Sequence, residues 1–235
     1  MISGCRGTLV VFAKAPQIGR VKTRLTPPFT SAQAAAFYTA MLSDVLAATA
    51  GIAESLDLAA IVAVHPGELR AAVARLAPAT FRVVPQRGAN LGDRMAWAVR
   101  EAAATGASRI LLRGSDSPTL GVAAVRAALA ALEDFDLVLG PDRDGGYSLV
   151  GVRKPDPELF RHAMSTPSVL RETLVNAARL GLRTQLAEPS FDIDVADDLR
   201  LLASARATGA AALCPRTTAY LDANDLWPAL ASSAG

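Results

Sequence analysis

Four stretches of the 235-residue sequence gather charged groups at spacings suited to phosphate or metal chemistry. The densest is Lys14-Ala-Pro-Gln-Ile-Gly19-Arg20-Val-Lys22-Thr23-Arg24-Leu25. Lys14, Arg20, Lys22 and Arg24 can neutralise a polyphosphate and stabilise charge on a departing pyrophosphate or diphosphate. Gly19 lets backbone N–H groups approach a phosphate closely. The stretch contains neither GxxxxGK[ST] nor GxGxxG, so it is neither a P-loop nor a dinucleotide fingerprint. A solvated basic loop is the competing account. The second stretch is Leu112-Arg113-Gly114-Ser115-Asp116-Ser117-Pro118. A carboxylate at a strand end, as at Asp116, is well placed to hold Mg²⁺ or Mn²⁺ over phosphates. Alternatively Asp116 belongs to a helix cap, with Ser117 at the N-cap and Pro118 at the first helical position.

The third stretch runs from Gly140 to Tyr147, and its Asp144-Gly145-Gly146 is a turn signal. A plain hairpin is the default reading. Functionally, Gly145, Gly146 and Tyr147 leave room for substrate, and Asp144 can bind an acceptor hydroxyl or act as a base. The fourth is Phe191-Asp192-Ile193-Asp194-Val195-Ala196-Asp197-Asp198. Alternate residues of an extended segment point the same way, so Asp192 and Asp194 can face one site, and one of them can complete a metal site with Asp116. Alternatively Asp194 caps the next helix, with Asp197 and Asp198 favouring its positive end. In Asn90-Leu91-Gly92-Asp93-Arg94-Met95, Gly92 can admit a base or ribose and Arg94 can reach a phosphate, though a helix start explains the same residues. Asp116, Asp144 and Lys22 are the catalytic candidates. His65 and His162 stand apart and read as structural.

Short apolar runs at 8–13, 58–64, 81–84, 109–112, 136–140 and 147–152 read as strands, with a last one at 183–187. Helical spacing appears after Thr30 or Ser31, over 68–76, from Asn90 or Asp93 to about Ala104, after Ser117, from Ser165 or Thr166 to about Leu180, and over 196–207. The tail beyond Cys214 gives no clear pattern. Strands alternating with helices predict an α/β fold with a mostly parallel sheet covered on both faces. The turn before Tyr147 adds an antiparallel element. Strands ending near Ala13, Arg113 and Gly140 should share one sheet and open on one cleft, because ligands of such sheets bind at the strands' carboxyl ends.

The net charge is only +2 and no Lys/Arg run marks a nucleic-acid surface. Cys5 and Cys214 form no metal or redox pattern. No repeat or linker divides residues 1–235, so one domain is expected. No signal-peptide pattern and no apolar run long enough to span a bilayer is read, which places the chain in the cytoplasm as a soluble protein.

Taken in order, KAPQIGRVKTRL, NLGDRM, GSDSPTL, LGPDRDGGYSLVG, ST-x-SVL and FDID-x-x-DDL resemble the bacterial DUF2064 family over roughly residues 8 to 205. That family sits among the nucleotide-diphospho-sugar transferases. The resemblance implies a GT-A-like (Rossmann-like) three-layer sandwich, phosphates gripped by the Gly19 to Arg24 loop, and Mg²⁺ or Mn²⁺ at Asp116 assisted by Asp192 or Asp194. Ser117 stands where the family commonly has cysteine, Met164 where it often has tryptophan, and Val195-Ala196 where it has Thr-Pro. The Met164 change bears on an acceptor contact. The DGGY segment favours metal-dependent transfer of a sugar from a nucleotide sugar to a small-molecule acceptor. The KTRL segment resembles phospholactate and phosphoenolpyruvate guanylyltransferases, and so keeps open nucleotidyl transfer from an NTP to a phosphorylated acceptor. A non-catalytic nucleotide-binding protein is the third reading, against which the intact acidic and basic motifs argue.

Overall fold

The computed structural model describes residues 7–228, so Cys5 lies outside them. Seven strands form one sheet: β1 (Gly7–Lys14), β2 (Leu58–His65), β3 (Arg82–Pro85), β4 (Ile110–Gly114), β5 (Leu137–Pro141), β6 (Tyr147–Val152) and β7 (Thr184–Leu186). Their order is β3-β2-β1-β4-β6-β5-β7. Every neighbouring pair is parallel except the two that β6 makes, with β4 and with β5. β1, β4 and β5 therefore run the same way, and their carboxyl ends open on one side, as the alternation of strands and helices predicts.

The central strands are mostly apolar because both faces are covered. In β1, Leu9 and Val11 enter one core and Val10 the other. Helices α1 (Ser31–Ser55), α2 (Arg70–Ala74), α4 (Val122–Ala131), α6 (Asp198–Ala207) and α7 (Pro215–Ala223) supply the first core. α3 (Leu91–Ala104) and α5 (Val169–Arg179) supply the second. The result is the expected three-layer α/β sandwich.

Thr30 starts α1 through a reciprocal capping box with Gln33. At 25 residues, α1 is long and apolar enough to cross a bilayer by length and composition, a run the sequence reading did not mark. Here its Phe37, Tyr38, Met41, Leu42, Val45 and Leu46 are packed in the core. Asp44, in the middle of the same helix, is 1% exposed. Its carboxylate accepts from the Thr217 backbone N–H at 2.7 Å, the Thr217 hydroxyl at 2.8 Å and the Arg216 N–H at 3.2 Å. It thereby caps the first turn of α7, the element that the tail's sequence did not disclose.

Several boundaries differ from expectation. α4 begins at Val122 with Gly121 as N-cap, not at Ser117, whose hydroxyl goes to Asp192 instead. The 68–76 segment splits into a short 3₁₀ turn at Gly67–Leu69 and the five-residue α2. α5 and α6 start later than read, at Val169 and Asp198. Residues 191–194, read as an extended segment, belong to no strand or helix.

Candidate active site

The strand ends surround a cavity of about 420 Å³. The turns following β1, β4 and β5, together with the segment 192–194, supply its polar wall. Lys14, Asp116, Asp142, Asp144, Gly146, Tyr147, Asp192 and Asp194 all border it.

Lys22 lies beside this cavity rather than in its lining: with Lys14, Arg24, Asp116 and Asp194 it borders an adjoining pocket of about 140 Å³. Its loop is pinned by buried Val21 and Leu25, and its own backbone is left-handed at φ 47°. Lys22 Nζ lies 2.5 Å from Asp116 Oδ1 and 2.8 Å from Asp194 Oδ1. The Lys22 side chain is only 4% exposed, whereas its two partners reach solvent at 35% and 40%. Burial disfavours the Lys22 charge, but the two carboxylates more than offset that and hold its pKa above the ordinary lysine value. Burial likewise acts to raise Asp194, yet Lys22, Arg24 and Lys14 together hold it below the usual carboxylate range. Lys14, Lys22 and Arg24 thus act on one carboxylate, and all three border the same pocket with it. Gly19 (φ 71°) and Arg20 lie exposed beyond them.

Asp192 has the opposite character. It is half-buried beside the charges of Asp116 and Asp142, and desolvation and these charges together raise its pKa well above the carboxylate range. The Ser117 hydroxyl donates to its Oδ1. The structure therefore brings Asp116, Asp192 and Asp194 to one cavity but divides their roles. Asp116 and Asp194 share a cation, while Asp192 faces its acidic neighbours. Among the described residues no three His, Cys, Asp or Glu side chains form a group able to hold a metal ion.

Two residues that support this site carried no sequence signal. Tyr38 sits at a core position of α1, and its hydroxyl accepts from the Lys14 N–H at 2.9 Å, lies 3.1 Å from the Lys14 carbonyl and lies 2.9 Å from Ser115 Oγ. It clips the basic and acidic loops together. Arg113 is 1% exposed. Its guanidinium donates to the Ser117 carbonyl at 2.7 Å and to the Leu120 carbonyl and Thr49 hydroxyl at 3.2 Å, which fixes the turn carrying Asp116. Burial lowers its pKa to about 10.

The remaining candidates lie apart or are engaged locally. Asp144 Oδ1 accepts from the Gly146 N–H at 2.8 Å within the β5–β6 turn. Gly145 does not line the cavity. A Cβ there would stand 2.1 Å from the Pro167 carbonyl oxygen, and its φ is 87°. Gly92 is buried, and a Cβ there would meet the Phe160 carbonyl at 2.3 Å, which accounts for the glycine by packing. Arg94 Nε donates to the Gly88 carbonyl at 3.3 Å, outside the cavity wall. Gly145→Ala is expected to cost about 2–3 kcal/mol of stability, from left-handed strain plus the clash. Denaturant unfolding checks it, and a loss under 0.5 kcal/mol would mean that the turn refits at little cost.

A crystal structure of a protein provisionally assigned as a nucleotide-diphospho-sugar transferase, from Desulfovibrio desulfuricans G20, superposes with a TM-score of 0.85 at 30% identity. The match covers 94% of this chain and 96% of that one. The fold and the cavity at its strand ends define a transferase of this α/β class. A family model described as "Uncharacterized protein conserved in bacteria (DUF2064)" matches residues 48–166, and the chain belongs to that family. The chain is 34% identical over 181 residues to a 3-phospho-D-glycerate guanylyltransferase of Phenylobacterium zucineum, covering 75% of this chain and 81% of the relative. It is 28% identical over 206 residues to a phosphoenolpyruvate guanylyltransferase of Sphaerobacter thermophilus, covering 86% and 96%.

Proposed function

We propose that this chain is a nucleotidyltransferase that joins a nucleoside triphosphate, GTP by likeness to its relatives, to a small phosphorylated carboxylic acid with release of pyrophosphate. The observation that carries the reading is that Lys14, Lys22 and Arg24 border one pocket with Asp116 and Asp194, both carboxylates lying on the Lys22 ammonium. Such a wall offers both the cations and the metal-binding carboxylates that a triphosphate requires. The guanylyltransferase names of two relatives support the same chemistry.

Glycosyl transfer, favoured by the DGGY segment, has less support. A hydroxyl acceptor calls for a base, and the base candidate Asp144 accepts from Gly146 in its own turn. A phosphate acceptor needs none, since its second pKa is about 6.

In the proposed reaction an acceptor phosphate oxygen bonds to the α-phosphorus. The bond from that phosphorus to the bridging oxygen breaks, and pyrophosphate leaves with the electron pair. Lys14, Arg20 and Arg24 hold the outer phosphates and offset the charge of the leaving group. Tyr38 and Ser115 position Lys14 relative to the acidic loop. Asp116 and Asp194 would hold a divalent ion, Mg²⁺ or Mn²⁺. The donor set fits, because two carboxylate oxygens already converge on one positive charge, and Mg²⁺ usually takes one or two carboxylates with phosphates and water completing its shell. Once bound, the ion supplies Lewis-acid neutralisation of phosphate oxygens. Asp192 and Asp142 border the acceptor side with Tyr147, Ser165 and Thr166. We read residues 1–235 as a single domain, which the one continuous sheet supports.

The test supplies the protein with each NTP, Mg²⁺ or Mn²⁺, and 3-phosphoglycerate or phosphoenolpyruvate. Pyrophosphate release that requires both substrates, with a new diphosphate linkage by ³¹P NMR, is the expected outcome. Nucleoside diphosphate release from a nucleotide sugar, with no reaction of any NTP, would overturn the reading.

A further inference from the structure

The part of the cavity at the carboxyl ends of β1, β2 and β3 is distinct from both the carboxylate pair and the hairpin. Gln86, the residue after β3, lines it. Its backbone N–H donates to the Val64 carbonyl at 2.9 Å, extending the β2–β3 ladder by one bond. Its side-chain Nε2 donates to the Ala63 carbonyl at 2.9 Å and the Ala13 carbonyl at 3.3 Å. Both partners can only accept, so the nitrogen must face them and both of its hydrogens are used. Turning the amide over would set its oxygen against two carbonyls. Oε1 is therefore the one free function of a locked group, and it has no hydrogen-bond partner among the described residues. Leu91, Met95 and His65 line the same cavity, the first two adding apolar surface.

A fixed acceptor flanked by apolar side chains suits a flat heterocycle that presents N–H groups at its edge. Guanine presents two adjacent donors, N1–H and the N2 amino group, which one carboxamide oxygen can accept together. Adenine presents an unprotonated ring nitrogen at the equivalent position, and that would oppose Oε1. We propose that Gln86 is the base-selecting residue of this site, its Oε1 accepting from the N1–H and N2 amino edge of guanine. The inference rests on the nucleotide reading above and adds the residue that chooses the base.

The experiment measures equilibrium binding of GTP, ATP and inorganic triphosphate, with Mg²⁺, to the wild type and to Gln86→Met. The wild type is expected to prefer GTP over ATP by about tenfold or more, the worth of one to two hydrogen bonds. In Gln86→Met, GTP should fall to the ATP level while triphosphate affinity stays unchanged. If Gln86 merely ties β1 to β2, all three ligands weaken alike, and that result overturns the proposal. A wild type without base preference, or a GTP-to-ATP ratio that survives the substitution, overturns it as well. Should Gln86→Met fail to fold, N1-methyl-GTP against the wild type puts the same question. A loss of about tenfold relative to GTP is expected, and equal binding overturns the assignment. Failure of every ligand, triphosphate included, would remove the nucleotide reading itself and this inference with it, an outcome separate from loss of base choice alone.

Discussion

Asp116→Asn is expected to lower metal-dependent pyrophosphate release by about a hundred- to a thousandfold, the scale of removing one group that stabilises developing charge in an active site. The substitution keeps the side chain's size and removes the negative charge. Stability should change little. Asp116 does not cap α4, whose N-cap is Gly121, and Asp194 still accepts from Lys22. The informative comparison is nucleotide affinity with and without Mg²⁺. In the wild type Mg²⁺ should tighten binding, and in Asp116→Asn most of that gain should vanish while metal-free binding remains. Equal enhancement by Mg²⁺ in both proteins would show that Asp116 holds no metal.

Lys22→Met should produce the second large effect, this time on stability. The substitution leaves Asp116 and Asp194 facing each other without the ammonium that now lies 2.5 and 2.8 Å from them. Breaking a buried pair from one side costs about 3–5 kcal/mol, but both carboxylates are more than a third exposed, so solvent screening brings the expectation to about 1–3 kcal/mol. Depression of the Asp194 pKa by Lys22 contributes stability above the unfolded carboxylate pKa and loses it as pH falls through the folded value. The variant should therefore lose most near neutral pH and draw level with the wild type in acid. Divalent metal should restore it, since an ion between the two carboxylates replaces the missing charge. Thermal unfolding with and without Mg²⁺ provides the check. A Lys22→Met melting temperature that Mg²⁺ does not raise would mean that this pair is not where metal binds. Nucleotide binding measured alongside reports any direct Lys22 contact with phosphate.

Much of the architecture could be read from local pattern. TLVVFA and LAAIVAV are apolar on every residue but Thr8, as suits strands buried on both faces, and Asp-Gly-Gly announced the turn before the antiparallel β6. Asn90 and Thr30 cap the helices their positions suggested. Ser117-Pro118 misled because it carries a local helix-start pattern, whereas the Ser117 hydroxyl finds Asp192, 75 residues away. The division between Asp192 and Asp194 was equally hidden. Their spacing brings both to the cavity, but only the fold decides which meets Lys22 and which meets Asp142. Tyr38 and Arg113 look like one core position and one strand residue, and their purpose lies in loops that the sequence places far from them or leaves without a visible partner. Gly92 and Gly145 read as room for a ligand, yet each adjoins a backbone carbonyl from a distant segment. Such close approaches leave no trace in periodicity.

The buried Asp44 carries a consequence for the order in which the molecule can be completed during synthesis. The long helix α1 leaves the ribosome before Arg216 and Thr217, the residues that satisfy its central carboxylate from 172 and 173 positions further along the chain. Until those residues emerge, that stripe of α1 cannot close over the sheet without burying an unpaired charge, which is costly. The nascent chain therefore has reason to keep that core layer open to water until Arg216 and Thr217 have been made. Consolidation then couples α1 to α7, a long-range closure of the kind that slows folding and extends the interval in which a helper or a protease can intervene.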